Sequence, residues 1–397
     1  MAFLGEPVRA YRTRLMNELM DRLDLDALAF SRGDFLQFAT NFNTDVETWE
    51  RPVLCVVPRN GEPFVVLNAL SQSHWRYASE DRRLWVSDAS FYSEHLRLGG
   101  LVPTVSEWPE MVAEKMKAAG LSKSRIGTDD MSGVLGKAFD LLPDAQPLPM
   151  ANELQRLRWV KHPDEIALMR EIAELTDWVQ DRYRENIRPG RLTMELDMSM
   201  SAEFATEAAR RFPDQDVQLV DCMWTISGPA SSAGHGDGRR GGARIENGHV
   251  MVNMVIPRIN GLVVENERTW FCGKPGAREQ RLFEVATAAN EAGLEAAIAG
   301  KPVSGIDAAA QAVIEKAGFA DHISHRTGHG MGILCHEFPE DMAYNHRPLL
   351  KNEVYSVEPG IYVHGLGGFR QDDTVVIGSI PEILTKSPKD LKSQTIL

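Results

Sequence analysis

The sequence predicts an α+β protein in two parts, a smaller α/β domain at residues 1–150 and a larger α+β domain at residues 151–397. A chain of 397 residues is long enough to form two hydrophobic cores. Short helix and strand patterns alternate in the first part, and longer helices and strands follow residue 150. Three segments rich in Gly, His and acidic residues then follow one another near the C-terminus: HRTGHGMGILCHEFPED (325–341), YSVEPG (355–360) and GGFRQDD (367–373).

The N-terminal part contains amphipathic runs that predict helices, and apolar runs between turn residues that predict strands. Helices are expected at 11–23 and 107–119. Strands are expected at 27–30, 53–57, 64–67 and 125–129. This alternation predicts a mixed sheet packed against helices.

The pattern changes near residue 150, where a long charged and amphipathic stretch at 152–184 is interrupted by Pro163. Proline is tolerated in the first turn of a helix, so the sequence around Pro163 predicts a new helix start. Further helices are expected at 194–211, 279–298 and 306–317, and strands at 250–256, 261–271, 354–357 and 374–377. Helices interleaved with long antiparallel strands predict a curved sheet in this half.

The composition argues against several functional classes. A formal net charge of −13 argues against a nucleic-acid surface or an anionic membrane as partner. No apolar run is long enough to span a bilayer, and the N-terminal segment has no apolar signal core. The cysteines at 55, 222, 272 and 335 are dispersed, which is typical of reduced thiols. A cytoplasmic location is therefore expected.

The C-terminal segments contain most of the candidate functional residues. Four of them are predicted to lie on neighbouring strands that face one pocket: His329, His336, Glu358 and Asp372. Glu265 and Glu267 are two residues apart on one predicted strand, so their side chains share a face. Crowded buried carboxylates persist only with a proton, a metal ion or a cationic ligand. The pocket is therefore expected either to hold a divalent metal ion or to bind a cationic substrate group.

His235 lies in a Gly-rich loop, SGPASSAGHGDGR, in which the backbone can approach a ligand closely. The unperturbed pKa of a histidine is about 6.5, so His235 could act first as a base and then as an acid near neutral pH. The alternative is a loop histidine that only caps a turn. The acidic residues expected nearby favour a catalytic role.

From about residue 152 to the end, the chain resembles the "pita-bread" fold shared by methionine aminopeptidase, aminopeptidase P, prolidase and creatinase. The resemblance rests on RLRWVKHPDEIALMREIAELTD, SGPASSAGHGDGR, VNMVIPRINGLVVENERTWF and the three C-terminal segments, in this order. Residues 1–150 resemble the smaller N-terminal domain of creatinase and prolidase. The resemblance thus covers nearly the whole chain, and it implies a pita-bread catalytic domain preceded by an α/β domain of the creatinase and prolidase type.

The metallopeptidases of this family hold two metals with two Asp, one His and two Glu. The strand that would supply the first Asp carries Asn253 and Met254 instead. Because carboxylates bridge the ions of a two-metal centre, this difference argues against such a centre. The remaining positions match residues that could hold one divalent metal ion: Glu265, His329, Glu358 and Asp372. The alternative is a metal-free polar pocket.

Creatinase has this fold without a metal and hydrolyses a C–N bond of a guanidino acid. The resemblance to it implies that His235 is the catalytic His, and that Glu267 and Glu358 bind the cationic group. Trp49 and Arg51 match an aromatic–Arg pair that binds the substrate carboxylate, and in creatinase this pair reaches the other subunit of a dimer. Creatinase has a His at the position of Asp372, so the present pocket is expected to be more acidic.

The preferred prediction is a homodimeric, creatinase-like hydrolase without a cofactor, which cleaves a non-peptide C–N bond of a small zwitterionic metabolite. The predicted catalytic residues are His235, Glu267, Glu358, His329 and His336. The predicted substrate-binding residues are Trp49, Arg51, Glu265 and Asp372. The alternatives are a metal-dependent Xaa-Pro dipeptidase or aminopeptidase, a lyase acting on a betaine-type acid, and a binding protein without catalytic activity.

Overall fold

The structure is a computed structural model that describes residues 4–44, 46–93, 107–131, 134–218, 223–236, 238, 243–337 and 342–397. The chain divides into two compact units, Phe3–Arg158 and a unit that includes Trp159–Leu397. The predicted combination of an α/β part and an α+β part is confirmed. The predicted domain limits, 1–150 and 151–397, stay a prediction.

The first unit is built on a mixed sheet. Its strands are β1 (Ala27–Phe30), β2 (Leu54–Pro58), β3 (Phe64–Asn68), β4 (Asp88–Tyr92), β5 (Arg125–Thr128) and β6 (Gln146–Pro149). Its helices are α1 (Glu6–Leu23), α2 (Gly33–Thr40), α3 (Gln72–Glu80), α4 (Trp108–Ala118), α5 (Val134–Asp140) and α6 (Ala151–Arg156). The strand order is β4-β3-β2-β1-β5-β6. Strand β1 is antiparallel to β2 and parallel to β5, so the sheet is mixed as predicted.

The second unit contains the longest helices and a mainly antiparallel sheet. Its helices are α7 (Pro163–Asn186), α8 (Thr193–Arg211), α9 (Ala277–Ala296) and α10 (Ser304–Lys316). Its strands are β7 (Val217–Gln218), β8 (Met223–Ser227), β9 (Val250–Val255), β10 (Arg258–Ile259), β11 (Leu262–Val263), β12 (Asn266–Cys272), β13 (Val354–Val357), β14 (Gly360–Val363), β15 (Gly367–Arg370), β16 (Asp372–Val376), β17 (Glu382–Ile383) and β18 (Thr395–Ile396). The main sheet has the order β13-β16-β12-β9-β8.

Helix α7 begins where the sequence predicts. His162 is its N-cap residue, and the His162 side chain accepts a hydrogen bond from the backbone N–H of Asp164. The Glu165 carboxylate accepts a hydrogen bond from the backbone N–H of His162, which completes a capping box. Pro163 occupies the first turn, where its missing N–H costs no helical hydrogen bond.

The two faces of the central strand β12 have different surroundings. On one face, Asn266 donates to the Thr176 hydroxyl of α7 (3.1 Å) and Arg268 donates to Asp373 (2.8 Å). On the other face, Phe271 packs in an apolar core with α9 and β15, and Glu267 lies further along the strand. The site described below therefore lies beyond the end of a well-packed apolar layer.

The predicted strand 261–271 is divided into β11 and β12. Between them the backbone changes partner, because the N–H of Val263 donates to the carbonyl of Gly332 and that of Glu265 donates to the Thr374 hydroxyl. Glu265 thus lies at a bend between two strands. Within the described ranges, every helix is too short or too polar to cross a membrane.

Candidate active site

A cavity of about 420 Å³ opens in the second unit. Its polar lining residues are His235, Glu265, Glu267, His336, Glu358 and Arg370, together with Gln218, Arg258 and Cys335. Its apolar lining residues are Trp224, Met254, Ile256, Val263, Ile333 and Leu334. The lining therefore combines several charged side chains with apolar ones, which is typical of sites for small organic ligands.

Four side chains form a row across the main sheet. Trp224 pairs with Met254 across β8 and β9, Met254 pairs with Glu267 across β9 and β12, and Glu267 pairs with Asp372 across β12 and β16. Directly paired residues of antiparallel strands point to the same face of a sheet. The register therefore places a thioether on one side of Glu267 and a carboxylate on the other.

His329 is held next to Glu358 by backbone hydrogen bonds rather than by a regular strand. The N–H of Ser356 donates to the carbonyl of His329 (2.9 Å), and the N–H of Glu358 donates to the carbonyl of Thr327 (2.6 Å). Gly328 lies between them, and a Cβ atom there would overlap the Ser356 carbonyl oxygen. The prediction that His329, His336 and Glu358 lie on strands is therefore wrong, whereas Asp372 is on β16 as predicted. The two histidines occupy an irregular segment with isolated bridges only, and Glu358 follows the last residue of β13.

The imidazole of His329 faces two carboxylates. Its Nε2 atom lies 3.4 Å from Oε2 of Glu265 and 3.5 Å from Oε1 of Glu358, while its Nδ1 contacts the Gly330 carbonyl (3.1 Å). Burial opposes the charging of His329, but the neighbouring Glu265 and Glu358 carboxylates outweigh it and raise the pKa of this histidine. Burial opposes ionisation of Glu265 as well, yet His329 lowers the pKa of Glu265.

Asp372 is completely buried behind the cavity lining. Its Oδ1 accepts a hydrogen bond from the Ser356 hydroxyl (2.9 Å). Burial, followed by repulsion from Glu265 and Glu267, raises the pKa of Asp372 well above its usual range. The carboxylate oxygens of Glu265, Glu267 and Asp372 can lie within 4.8 Å of one another, so three acidic side chains share a very small volume.

Arg370 is a buried cation inside this acidic cluster. Its Nη2 donates to Oε1 of Glu267 (2.9 Å), and its Nε forms an ion pair with the other oxygen of the same carboxylate. Its Nη1 donates to the Tyr362 hydroxyl (3.1 Å) and to the Gly234 carbonyl (3.3 Å). Burial opposes the charge, but Glu267 holds the pKa of Arg370 well above its usual value.

His336 and Cys335 adjoin His329 and Glu265. The rings of His329 and His336 are stacked with their centroids 3.7 Å apart. Burial and the adjacent His329 lower the pKa of His336 to about 4. The Cys335 thiol lies 3.5 Å from Oε2 of Glu265. His336 is therefore a neutral imidazole near pH 7, with one N–H available for donation.

The remaining predicted site residues are His235, Trp49 and Arg51. His235 is exposed, lines the cavity and contacts Trp224 with ring centroids 5.8 Å apart. Trp49 is 81% exposed, and Arg51 forms an ion pair with Glu50 (2.5 Å); both belong to the other unit, Phe3–Arg158. Their assignment as a carboxylate clamp stays a prediction.

The cluster around His329 fits a divalent metal ion. Nε2 of His329 and Oδ2 of Asp372 are buried, and neither makes a hydrogen bond to another described residue. Imidazole nitrogen and carboxylate oxygen are suitable ligands for Zn²⁺, Mn²⁺ and Co²⁺. The residues that could hold such an ion are Glu265, His329, Glu358 and Asp372.

The fold and this His–carboxylate cluster define a hydrolase-type site in a pita-bread domain. Residues 167–379, more than half of the chain, match the metallopeptidase family M24. The chain belongs to this family. The family and fold predicted from the sequence are therefore confirmed, whereas a place in the metal-free creatinase branch is not shown.

Curated relatives cover most of the chain. The putative dipeptidase YkvY of Bacillus subtilis is 26% identical over 358 residues, which cover 89% of this chain and 92% of that protein. The probable dipeptidase PepE of Mycobacterium tuberculosis is 29% identical over 341 residues, 83% of this chain and 82% of that protein. An Xaa-Pro dipeptidase of Pyrococcus furiosus is 28% identical over 239 residues, 60% of this chain and 66% of that protein.

Solved structures show the same fold. Dipeptidase PepE from Mycobacterium ulcerans superimposes with a TM-score of 0.79 at 24% identity, covering 99% of both chains. The prolidase from Pyrococcus horikoshii superimposes with a TM-score of 0.79 at 18% identity, covering 96% of this chain and 99% of that chain.

The prediction of a creatinase-like enzyme acting on a non-peptide C–N bond is wrong, because the relatives are named as dipeptidases and Xaa-Pro dipeptidases. The physical premise of that prediction was that the acidic cluster requires a cationic substrate. Arg370 of the same chain already pairs with Glu267, so the cluster has an internal cation. The comparisons also favour a divalent metal over the predicted absence of a cofactor, since the matched family is one of metallopeptidases.

Sequence analysis identified the carboxylates and histidines but missed Arg370. Glu265 and Glu267 both line the cavity, but the prediction that they lie on one strand is wrong, because Glu265 lies at the bend before β12. Arg370 precedes Asp372 by two residues in GGFRQDD, and that spacing was a signal that it could share a face with Asp372. Its partner Glu267 is 103 residues away in the chain, so the pair itself was not visible in the sequence.

Proposed function

We propose that this protein is a divalent-metal-dependent peptidase that hydrolyses dipeptides, with Xaa-Pro dipeptides among its substrates. The observation that carries this proposal is the position of His329, whose Nε2 lies 3.4 Å and 3.5 Å from carboxylate oxygens of Glu265 and Glu358 beside the cavity. The names of the relatives support a peptide substrate. The carboxylate Asp372 and its buried Oδ2 complete the proposed metal ligands.

A divalent ion bound by these residues would polarise the scissile carbonyl and activate the attacking water. Glu358 lines the cavity next to His329 and is placed to accept a proton from that water. His336 is neutral near pH 7 because its pKa is lowered to about 4, and its N–H can donate to the developing oxyanion. His235 lines the same cavity, and we assign it the transfer of a proton to the leaving nitrogen as the C–N bond breaks.

The cavity suits a substrate of two residues. Ligand pockets are typically about 300–1,000 Å³, so a volume of about 420 Å³ lies at the small end of that range. Ile256, Val263 and Ile333 offer apolar contact to a side chain. Arg258 also lines the cavity, and a guanidinium group there suits the free carboxylate of a dipeptide.

The test is hydrolysis by purified protein that has been stripped of metal with a chelator and then supplied with Mn²⁺, Co²⁺ or Zn²⁺. Ala-Pro and Ala-Leu are the substrates, and release of free amino acids is followed by chromatography. Hydrolysis is expected only after an ion has been restored. Ala-Pro amide is the matched control, and it should react more slowly because it lacks the carboxylate. Absence of hydrolysis with every ion and peptide, in a folded protein, would refute the proposal.

We also propose that the protein is a cytoplasmic homodimer. Cys55, Cys272 and Cys335 are free thiols, which is consistent with a reducing compartment, and Cys222 lies outside the described residues. The dimer is supported by the resemblance to creatinase. Light scattering coupled to size-exclusion chromatography would test it, and a mass near the 44.2 kDa of one chain would contradict it.

A further inference from the structure

Four consecutive residues of one short loop line the cavity. They are Ile333, Leu334, Cys335 and His336, and they lie outside the regular helices and strands. Residues 330–337 are called the cavity loop below. Because a site on a loop keeps a precise geometry only if surrounding contacts lock it, the contacts that hold this loop matter for the cavity.

Backbone hydrogen bonds fix the two ends of the cavity loop. The N–H of Met331 donates to the carbonyl of Val354 on β13 (2.9 Å). The N–H of Glu337 donates to the carbonyl of Gly330 (2.7 Å), which brings the last residue of the loop back to the first. These bonds lie on either side of the four lining residues.

The Glu337 carboxylate holds the middle of the cavity loop. Its Oε1 accepts a hydrogen bond from the N–H of Leu334 (3.0 Å), and its Oε2 lies 3.5 Å from Nζ of Lys161. The side chains of Lys161 and Glu337 are only 5% and 3% exposed. A Cβ atom at Gly332 would lie within 3.0 Å of both side chains, so the ion pair packs directly against the loop backbone.

Lys161 is itself anchored outside the cavity loop. Its N–H donates to the carbonyl of Asn352 (2.9 Å), and its Nζ donates to the carbonyl of Trp159 (3.2 Å). It lies two residues before Pro163, the first residue of α7. The pair therefore ties the cavity loop to the segment that leads into this helix.

The burial of the pair favours a role in positioning over one in stability. Taking two charges out of water costs about as much as their attraction returns, so a buried ion pair is a weak source of stability. Its geometry is nevertheless specific, because one carboxylate contacts the Leu334 N–H and the Lys161 ammonium group at once.

We propose that Lys161 and Glu337 are positioning residues that hold the cavity loop in the shape in which residues 333–336 face the substrate. The effect on catalysis rests on the proposed function, in which His336 donates to the developing oxyanion. Neither Lys161 nor Glu337 lines the cavity, so both act through the loop.

The kinetic test compares K161M, E337Q and the double variant K161M/E337Q with the wild type in the hydrolysis of Ala-Leu at saturating Mn²⁺. A misplacement of about 1 Å can cost about 100-fold in rate, so kcat should fall at least about tenfold in each single variant. The double variant should be no slower than the single variants, because the two residues act as one unit. Losses that multiply, or a wild-type kcat in the folded single variants, would overturn the inference.

E353Q is the matched control. Glu353 is also buried, accepts a hydrogen bond from the N–H of Leu350 three residues earlier (3.2 Å) and pairs with Arg347 (2.7 Å). None of these three residues lines the cavity. E353Q should lower the midpoint temperature of thermal unfolding as E337Q does, but it should keep the wild-type kcat. An equal loss of kcat in E353Q would assign the effect to stability and contradict a positioning role.

Hydrogen–deuterium exchange followed by mass spectrometry tests the cavity loop without a substrate. The N–H groups of Leu334 and Glu337 are both hydrogen-bonded, so a peptide covering residues 330–337 should be protected in the wild type. Its exchange should be at least about tenfold faster in K161M and E337Q, because the loop opens more readily without the ion pair.

The exchange data also separate the two proposals. Unchanged exchange in the folded variants would overturn the inference. Should the variants fail to fold, the wild type decides, since an unprotected loop there would overturn it as well. Protection that is lost in the variants of a protein that hydrolyses no peptide would refute the proposed function and leave the role of Lys161 and Glu337 in holding the loop intact.

Discussion

Nε2 of His329 and Oε2 of Glu265 lie 3.4 Å apart at a buried position, and no described residue donates a hydrogen bond to or accepts one from this nitrogen. The Nδ1 side of the ring is bonded to the Gly330 carbonyl, which orients Nε2 toward the two carboxylates. A hydrogen bond from the other ring nitrogen to a carbonyl orients metal-binding histidines and fixes their tautomer. His329 and Glu265 are thus arranged to share a cation.

Replacement of His329 by Gln should abolish tight binding of a divalent ion. The variant removes the nitrogen ligand but keeps a polar side chain of similar size. Since removal of even an outer-shell partner typically costs about 10–100-fold in metal affinity, loss of a ligand should cost at least about 100-fold. Isothermal titration of stripped protein with Mn²⁺ measures the affinity.

The matched control for this prediction is H346Q. His346 is exposed and bonded to Ser304, and it does not line the cavity. H346Q should bind the ion as the wild type does. Equal affinity in H329Q and the wild type would show that the ion, if bound, is held elsewhere.

Replacement of Gly328 by Ala should disturb the site and destabilise the protein. A Cβ atom at this position would overlap the Ser356 carbonyl oxygen, and that backbone contact is what places His329 beside Glu358. Overpacking of this kind typically costs about 1–3 kcal/mol or more in the free energy of unfolding. The midpoint temperature of thermal unfolding and the affinity for Mn²⁺ should both be lower in G328A than in the wild type.

G305A provides the comparison for G328A. Gly305 lies in α10, and its nearest neighbour for a new Cβ is Pro302 at an ordinary 3.6 Å. Alanine is the better helix former, so G305A should be neutral or more stable by up to about 1 kcal/mol. Equal free energies of unfolding for G328A and G305A would contradict the close approach of Gly328 to the Ser356 carbonyl.

The sequence was sufficient for the fold but not for the electrostatics of the site. The helix start at Pro163 follows from local rules of capping. Glu265 reaches the cavity beside Glu267 from a bend, which strand alternation does not describe. The register that pairs Met254 with Glu267 depends on how two strands align, and this is a long-range property. The Arg370–Glu267 pair also depends on long-range strand alignment. The sequence alone therefore could not reveal that the acidic cluster already contains a cation of the same chain.

Cys335 should resist alkylation in the metal-free folded protein although its side chain lines the cavity. Burial, followed by repulsion from Glu265 and Glu358, raises the pKa of its thiol well above the usual value. Only the thiolate reacts readily with iodoacetamide, and each unit of pKa lowers its population about tenfold at neutral pH. Mass spectrometry should show labelling of Cys335 at least about tenfold slower than in denatured protein.

The variant E265Q tests the cause of this protection. Glu265 is the charged neighbour 3.5 Å from the Cys335 sulfur, and Gln has nearly the same shape. If repulsion from the Glu265 carboxylate contributes to the raised pKa, Cys335 should be alkylated faster in E265Q than in the wild type. Fast labelling of the folded wild type at pH 7 would contradict the proposed environment of the thiol.

Asp197 should make the stability of the protein depend on pH. Its carboxylate is buried between α7, α8 and β8, where it accepts hydrogen bonds from the Tyr183 hydroxyl (2.8 Å) and the Thr225 N–H (3.0 Å). Burial raises the pKa of Asp197 to about 6, although these hydrogen bonds act in the opposite direction. An aspartate in the unfolded chain has a pKa of about 3.9.

Because the folded pKa is the higher one, the folded state keeps its proton while the unfolded state loses it as pH rises. The free energy of unfolding should therefore fall between about pH 4 and pH 6 and stay constant above, with a total change of about 3 kcal/mol from this residue. D197N carries no titrating group and should lack this dependence. Thermal unfolding of both proteins across pH 4–8 measures the difference. If the wild type instead gained stability over D197N as pH rises, the Tyr183 and Thr225 donors would outweigh burial, and the carboxylate would be the form that the fold stabilises.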